Sequence, residues 1–120
     1  MKKMLTITVV LLAAGLILGC AAAPEGAAPG KTIKAKGFLE DCKEISPGRE
    51  LVFSFTSSRP LDFNLHYHEG DQAVYPVDMK GVASYEGSYR VDSERNYCLM
   101  WANPHQQPVK INYTAGIVEK

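Results

Sequence analysis

The sequence predicts an all-β protein whose domain is an antiparallel β-sandwich of about seven short strands. Three observations lead to this prediction. After Thr32 no long stretch has helical spacing of its apolar side chains, whereas strict alternation of apolar and polar residues recurs. Turn-forming sequences such as Ser46-Pro47-Gly48 and Glu69-Gly70-Asp71 separate the alternating stretches. With 120 residues, the chain has room for one such domain.

Residues 1–19 have the layout of a cleaved secretion signal, expected to be helical. Lys2 and Lys3 form a short positive segment, and residues 4–18 are uncharged and rich in Leu, Ile, Val and Ala. The segment ends in Ile17-Leu18-Gly19-Cys20, which resembles the bacterial lipobox, although Leu18 departs from the small residue usual at that place. The resemblance implies cleavage before Cys20, transfer of a diacylglyceryl group to its thiol, and acylation of the new amine.

Lipidated Cys20 is expected to anchor the chain in the cell envelope. Each buried methylene contributes about 0.8 kcal/mol, so two or three acyl chains hold a protein firmly at a membrane. Ala21 is not the aspartate that retains such lipoproteins at the inner membrane, so the resemblance implies the outer membrane, facing the periplasm. The alternative is an uncleaved transmembrane anchor over residues 4–23, because about 20 apolar residues span a bilayer.

Residues 20–31 are predicted to be the lipidated cysteine and a flexible tether. From Ala21 to Gly30 the sequence AAAPEGAAPG has small residues, two prolines and one charge, and cannot bury apolar area. The sandwich domain is expected over residues 32–120. Eleven basic and thirteen acidic residues follow Cys20, a formal charge of −2, which offers no basic footprint for nucleic acid.

The alternating stretches predict the individual strands. Leu51, Phe53 and Phe55 alternate with polar neighbours, and Trp101 is expected to pack in the core with Tyr97. Leu99 is expected in the same core. The predicted strands lie at residues 33–40, 50–56, 61–68, 73–77, 82–89, 97–102 and 109–118.

The cysteine count predicts one disulfide. The three cysteines are an odd number, and lipidation of Cys20 leaves Cys42 and Cys98 as a pair in an oxidising compartment. A Cys42–Cys98 disulfide is therefore expected, and closing a loop of this length contributes about 4 kcal/mol in the chain-entropy model. Two buried free thiols are the alternative.

The sequence has no recognisable catalytic motif, and we predict a protein that is not an enzyme. A glycine-rich phosphate loop, a serine nucleophile elbow, a CxxC pair and a His-Glu-x-x-His helix are all missing from it. No cofactor is therefore expected, apart from a divalent transition metal in one alternative reading.

That alternative is a periplasmic metal-binding module. His66 and His68 lie two residues apart on a predicted strand and so share a face, and His105 could supply a third nitrogen. Two histidines alone make a weak site, because zinc usually takes three or four protein ligands. The other readings are a solvated polar face, or a partner-binding surface formed by Asn64, His66 and His68.

Four segments carry a further resemblance. In chain order they resemble the GOLD-type (Golgi dynamics) β-sandwich, a jelly-roll-like fold, and the match covers nearly all of residues 32–118. The segments are Leu51-Val52-Phe53-Ser54-Phe55, Leu61-Asp62-Phe63-Asn64-Leu65, Tyr97-Cys98-Leu99-Met100-Trp101-Ala102-Asn103 and Val109-Lys110-Ile111-Asn112-Tyr113. The strand that ends in Asn103 lacks the family's glycine, although Gly87 lies upstream.

The GOLD resemblance implies two properties of the domain. Family members in secretory cargo receptors carry cysteines at positions that match Cys42 and Cys98, so the resemblance also implies the disulfide. The family is known for interactions and not for catalysis. We therefore expect a lipid-anchored envelope protein whose sandwich binds another protein or envelope component through strand edges or loops.

Overall fold

The computed structural model describes residues 30–119, and every regular element in that part of the chain is a β-strand. The predicted signal peptide, Cys20 and most of the tether lie outside the described residues. Over residues 30–119, no helix has the length and apolar character needed to cross a membrane. The strands are β1 (Lys31–Ile33), β2 (Phe38–Ile45), β3 (Arg49–Glu69), β4 (Gln72–Arg90), β5 (Arg95–Ala102) and β6 (Val109–Glu119).

The strands form one antiparallel sheet that curls into two facing layers. Their order is β1-β6-β3-β5-β2, and β4 pairs with the other edge of β3. Residues 49–57 of β3 pair with β6, whereas residues 62–66 pair with β5. The first layer thus holds β1, β6 and the first half of β3, and the second layer holds β2, β5 and its second half. The predicted all-β, sandwich-like fold is confirmed.

The structure has fewer and longer strands than the sequence predicted, because two predicted pairs are continuous. The stretches predicted at 50–56 and 61–68 are both part of β3, and those at 73–77 and 82–89 are both part of β4. Residues 57–60, Ser-Ser-Arg-Pro, separate the two stretches predicted within β3. In the structure they form a bulge, where the pairing of β3 with β4 shifts register between Thr56 and Leu61.

The strand predicted at 33–40 is also wrong in its bounds. The chain turns at residues 35–36, so that this stretch contains the end of β1 and the start of β2. Strand β2 runs on to Ile45, but Asp41 and Lys43 occupy inward positions beside Leu39, and both are half-buried. Charged residues at inward positions break the apolar alternation that sequence reading relies on.

Aromatic rings from both halves of β3 form the centre of the core. Phe53 and Phe55 pack on Phe63, with ring centroids 5.6 and 5.1 Å apart. Trp101 of β5 lies 5.5 Å from Phe63 and 5.8 Å from Phe55. Trp101 and its neighbours Tyr97 and Leu99 are buried, as predicted. Burial of one such large apolar side chain contributes about 1.5–3 kcal/mol, so these rings hold the two layers together.

A buried asparagine joins two loops at one end of the sandwich. The Asn103 Nδ2 group donates to the carbonyl oxygens of Lys34 and Gln107 at 3.0 and 2.8 Å, and Oδ1 accepts from the His105 N–H at 2.9 Å. The Asn103 N–H donates to the Gly37 carbonyl at 2.8 Å. Because a buried amide must be hydrogen-bonded, this side chain ties the β1–β2 turn to the β5–β6 loop.

Tyr113 closes the sandwich between β6 and β2. Its hydroxyl donates to Asp41 Oδ2 at 3.0 Å, and its ring packs on Trp101 with centroids 4.5 Å apart. Burial raises the pKa of Tyr113, and the hydrogen bond to Asp41 and the charge of that carboxylate raise the pKa further. Burial is also the first cause of the raised pKa values of Tyr89 and Tyr97.

The close packing at Gly87 generates the first prediction. A Cβ added at Gly87 would lie 2.9 Å from Cε1 of Tyr85 and 3.1 Å from Cε2 of Phe53, two packed rings of the core. Gly87→Ala should therefore lower the free energy of unfolding by about 1–3 kcal/mol, measured by urea denaturation. Gly116→Ala is the matched control, because a Cβ there meets no atom within 4 Å. Equal losses in both variants would contradict this packing.

The Tyr113–Asp41 bond generates a second prediction. Because the pKa of folded Tyr113 is raised, its proton is kept at pH 10.0, where the tyrosine of the unfolded chain is half-ionised. The stability that is present below pH 10.0 is therefore lost as the pH rises through the folded pKa. Tyr113→Phe should lower stability by about 1 kcal/mol at neutral pH and flatten the alkaline decline. Urea midpoints measured across this pH range test both effects. An unchanged alkaline slope in Tyr113→Phe would refute this assignment.

Candidate functional site

The outer surface of the second layer gathers most of the residues that the sequence singled out. Cys42 lies directly opposite Cys98, and Cys98 lies directly opposite His66, so all three side chains project from one face. Residues two positions away on each strand share that face. We call it the histidine face, and it comprises Glu40 and Cys42 of β2, Cys98 and Met100 of β5, and Asn64, His66 and His68 of β3.

The two histidines of this face differ in exposure. His68 is exposed, but His66 is buried to 6% residual exposure, so the prediction of two solvated surface histidines is wrong for His66. The Nδ1 atom of His66 lies 2.7 Å from Asn64 Oδ1, and its ring centroid lies 5.5 Å from that of His68. Asn64 therefore orients the His66 ring, and the pair forms the polar centre of the face.

The predicted disulfide is present between Cys42 and Cys98. It joins directly opposed residues of β2 and β5 whose Cα atoms are 4.0 Å apart. Cys98 is buried, while Cys42 is exposed. The Cys42 Sγ atom lies 3.3 Å from Glu40 Oε1, a contact and not a hydrogen bond, because a disulfide sulfur has no proton to donate. The cross-link thus lies on the histidine face and joins an exposed residue, Cys42, to a buried one, Cys98.

The third predicted metal ligand, His105, lies elsewhere. Its Nε2 atom is 2.6 Å from the carbonyl oxygen of Pro60, and its backbone N–H is bound by Asn103. Over residues 30–119, the three histidines do not bring their nitrogens together within 4.8 Å. The structure therefore places His66 and His68 side by side and His105 in the β5–β6 loop. Metal binding by the histidines stays a prediction.

Sequence reading missed two aromatic residues that border this face. Phe38, at the start of β2, is 64% exposed, and Tyr75 of β4 is 51% exposed. The Tyr75 ring lies 5.6 Å from the His66 ring. Tyr75 sits where the register between β3 and β4 shifts, near Leu65, and the bulge aims its side chain outward. The alternation of residues along the strand could not have predicted whether the Tyr75 side chain points inward or outward.

The outer surface of the first layer has a different character. Hydroxyl and amide side chains line a shallow groove across β4, β3 and β6, among them Ser54, Thr56, Ser84, Asn112 and Thr114. Ser54 and Thr114 hydrogen-bond each other at 2.9 Å across the strands. Phe55, Tyr85 and Tyr113 also line the groove, but none of these three rings is as exposed as Phe38 or Tyr75.

Comparison with known proteins supports the fold only. No family model and no curated protein matches the sequence. The crystal structure of Aeromonas hydrophila PliG, a periplasmic lysozyme inhibitor of g-type lysozyme, is similar with a TM-score of 0.51 and 11% identity over 79% of this chain and 92% of PliG. A de novo designed double-stranded β-helix has a TM-score of 0.44 and 12% identity over 73% of this chain and 96% of the design. The GOLD resemblance stays a prediction.

Proposed function

We propose that this protein is anchored to the cell envelope by lipid on Cys20 and binds another protein through its histidine face, without chemistry of its own. The observation that carries the proposal is the exposure of Phe38 and Tyr75 on the border of one polar face. Tyrosine, phenylalanine and methionine are enriched in protein interfaces relative to the rest of the surface. Met100 lies half-buried between Glu40 and Asn64 and supplies the third such side chain.

The rigidity of this face favours recognition of a protein. The disulfide cross-links β2 to β5, and five further backbone pairs join β5 to the second half of β3. A surface held in one shape loses little conformational entropy on binding. Phe38 and Tyr75 therefore act as anchors that are already positioned when a partner arrives.

Two observations support an extracytoplasmic site of action. A disulfide between Cys42 and Cys98 persists in an oxidising compartment, and the lipobox-like segment that ends in Cys20 directs a chain there.

PliG, which shares the fold, is periplasmic and inhibits a g-type lysozyme. A lysozyme is accordingly the first protein to test as a partner, and binding that blocks an enzyme needs no catalytic group on the inhibitor.

The anchor is tested by intact mass and membrane fractionation of the wild-type chain beside Cys20→Ser. The wild-type chain should begin at Cys20, carry the mass of the acyl chains, and sediment with membranes. Cys20→Ser should lose both the added mass and the processing of the signal peptide. An unmodified, full-length, membrane-bound chain in both cases would contradict lipidation and make residues 4–23 a transmembrane anchor.

The binding face is tested with matched pairs of substitutions. Phe38→Ser combined with Tyr75→Ser should weaken capture of the partner by at least about tenfold, because aromatic anchors carry most interface energy. Val52→Ser with Val118→Ser is the control, since these valines are 41% and 42% exposed on the outer surface of the first layer. Binding is measured against g-type lysozyme and against crosslinked envelope proteins. An equal loss with the control pair would refute the assignment of the face.

A further inference from the structure

Three side chains with metal-binding groups converge on the histidine face, and a fourth, His66, contacts one of them. A Glu40 carboxylate oxygen and the sulfurs of Cys42 and Cys98 lie within 4.8 Å of one another. The other oxygen of Glu40 reaches across β5 to lie 3.8 Å from His66 Nε2. His66 is also the direct cross-strand neighbour of Cys98. One carboxylate and two sulfurs are thus grouped together, and the imidazole lies beside this group through its contact with Glu40.

The orientation of His66 suits it to bind a metal ion. Its Nδ1 atom lies 2.7 Å from Oδ1, the side-chain amide oxygen of Asn64, and an amide oxygen only accepts hydrogen bonds. Nδ1 therefore carries the proton of the neutral ring, and Nε2 presents its lone pair toward Glu40. The 3.8 Å gap between Nε2 and the carboxylate is too long for a hydrogen bond. In metal-binding histidines, the ring nitrogen that does not bind the metal usually donates its proton to a neighbouring oxygen.

We propose that reduction of the Cys42–Cys98 disulfide creates a binding site for a thiophilic divalent metal ion such as Zn²⁺, with Cys42, Cys98, His66 and Glu40 as its ligands. The reductant is a dithiol, as carried by thiol–disulfide exchange proteins. Its two sulfurs form a disulfide while the Cys42–Cys98 bond breaks, and two electrons and two protons pass to the cysteines. Binding of the ion then releases both thiol protons to solvent, because thiolates are the ligands.

This ligand set is chemically sounder than three histidines. Zinc takes four ligands in a tetrahedron from thiolate, imidazole and carboxylate groups, and reduced Cys42, reduced Cys98, His66 and Glu40 are of these types. In the oxidised protein the sulfurs bind each other, and only Glu40 and His66 remain. The disulfide therefore controls metal binding. The metal site is absent while the disulfide is intact and forms when the disulfide is reduced. Exposure of Cys42 gives an incoming thiolate access to one sulfur.

The test is a titration of the full chain carrying Cys20→Ser, so that Cys42 and Cys98 are its only thiols. The detergent-solubilised protein is reduced without oxygen and titrated with Co²⁺, which reports thiolate ligands by a near-ultraviolet charge-transfer band and is then displaced by Zn²⁺. The reduced chain should bind one ion with this band, and the oxidised chain should show none. Glu40→Gln and His66→Gln should each weaken binding by at least about tenfold, whereas the control His105→Gln should not.

Emission from Trp101, which is fully buried, shows whether the reduced chain stays folded. If reduction unfolds the chain, Zn²⁺ should restore native emission, because an ion that binds only the folded state stabilises it. A reduced chain without the charge-transfer band would overturn the proposal. So would binding that Glu40→Gln and His66→Gln leave unchanged, or binding to an unfolded chain without recovery of Trp101 emission.

Discussion

The bend in β3 is the constraint on which the rest of this structure depends. Its 21 residues would extend about 70 Å as a straight strand, far more than the width of a small domain. The bulge at residues 57–60 lets the strand turn while its pairing with β4 continues on both sides. Because the apolar faces of its two halves then meet, Phe53 and Phe55 pack on Phe63.

The same bend decides which strands are neighbours. After it, β3 exchanges β6 for β5 as its partner, so strands that are distant in sequence join separate layers. The contacts between layers then complete the enclosure of the core. Asn103 ties the loops at one end, and Tyr113 reaches from β6 to Asp41 of β2 along the open side. Asn103 is buried, Tyr113 and Asp41 are half-buried, and their hydrogen bonds offset the cost of removing these groups from water.

The outer surfaces of the two layers are formed by the strand positions that do not point into the core. Inward positions of β3 are apolar, so Asn64, His66 and His68 face outward on the second layer. The disulfide joins β2 to β5 on that same side, beside Glu40. Recognition of a partner and control of a metal site would therefore share one surface. Occupancy of the ligand cluster would alter the charge next to Tyr75 and change the face that a partner meets.

The fold class, the core and the cysteine pair could be predicted from the amino-acid sequence, because alternation and cysteine parity are local or countable properties. Leu51, Phe53, Phe55 and Trp101 are buried as their spacing indicates, and Cys42 is joined to Cys98. The bend of a continuous strand at residues 57–60 could not be predicted, since Ser, Arg and Pro there also suit a loop. The proximity of Glu40 to His66, and the distance of His105 from both, follow from the three-dimensional fold. Strand order, and not distance along the sequence, sets which side chains meet across a sheet.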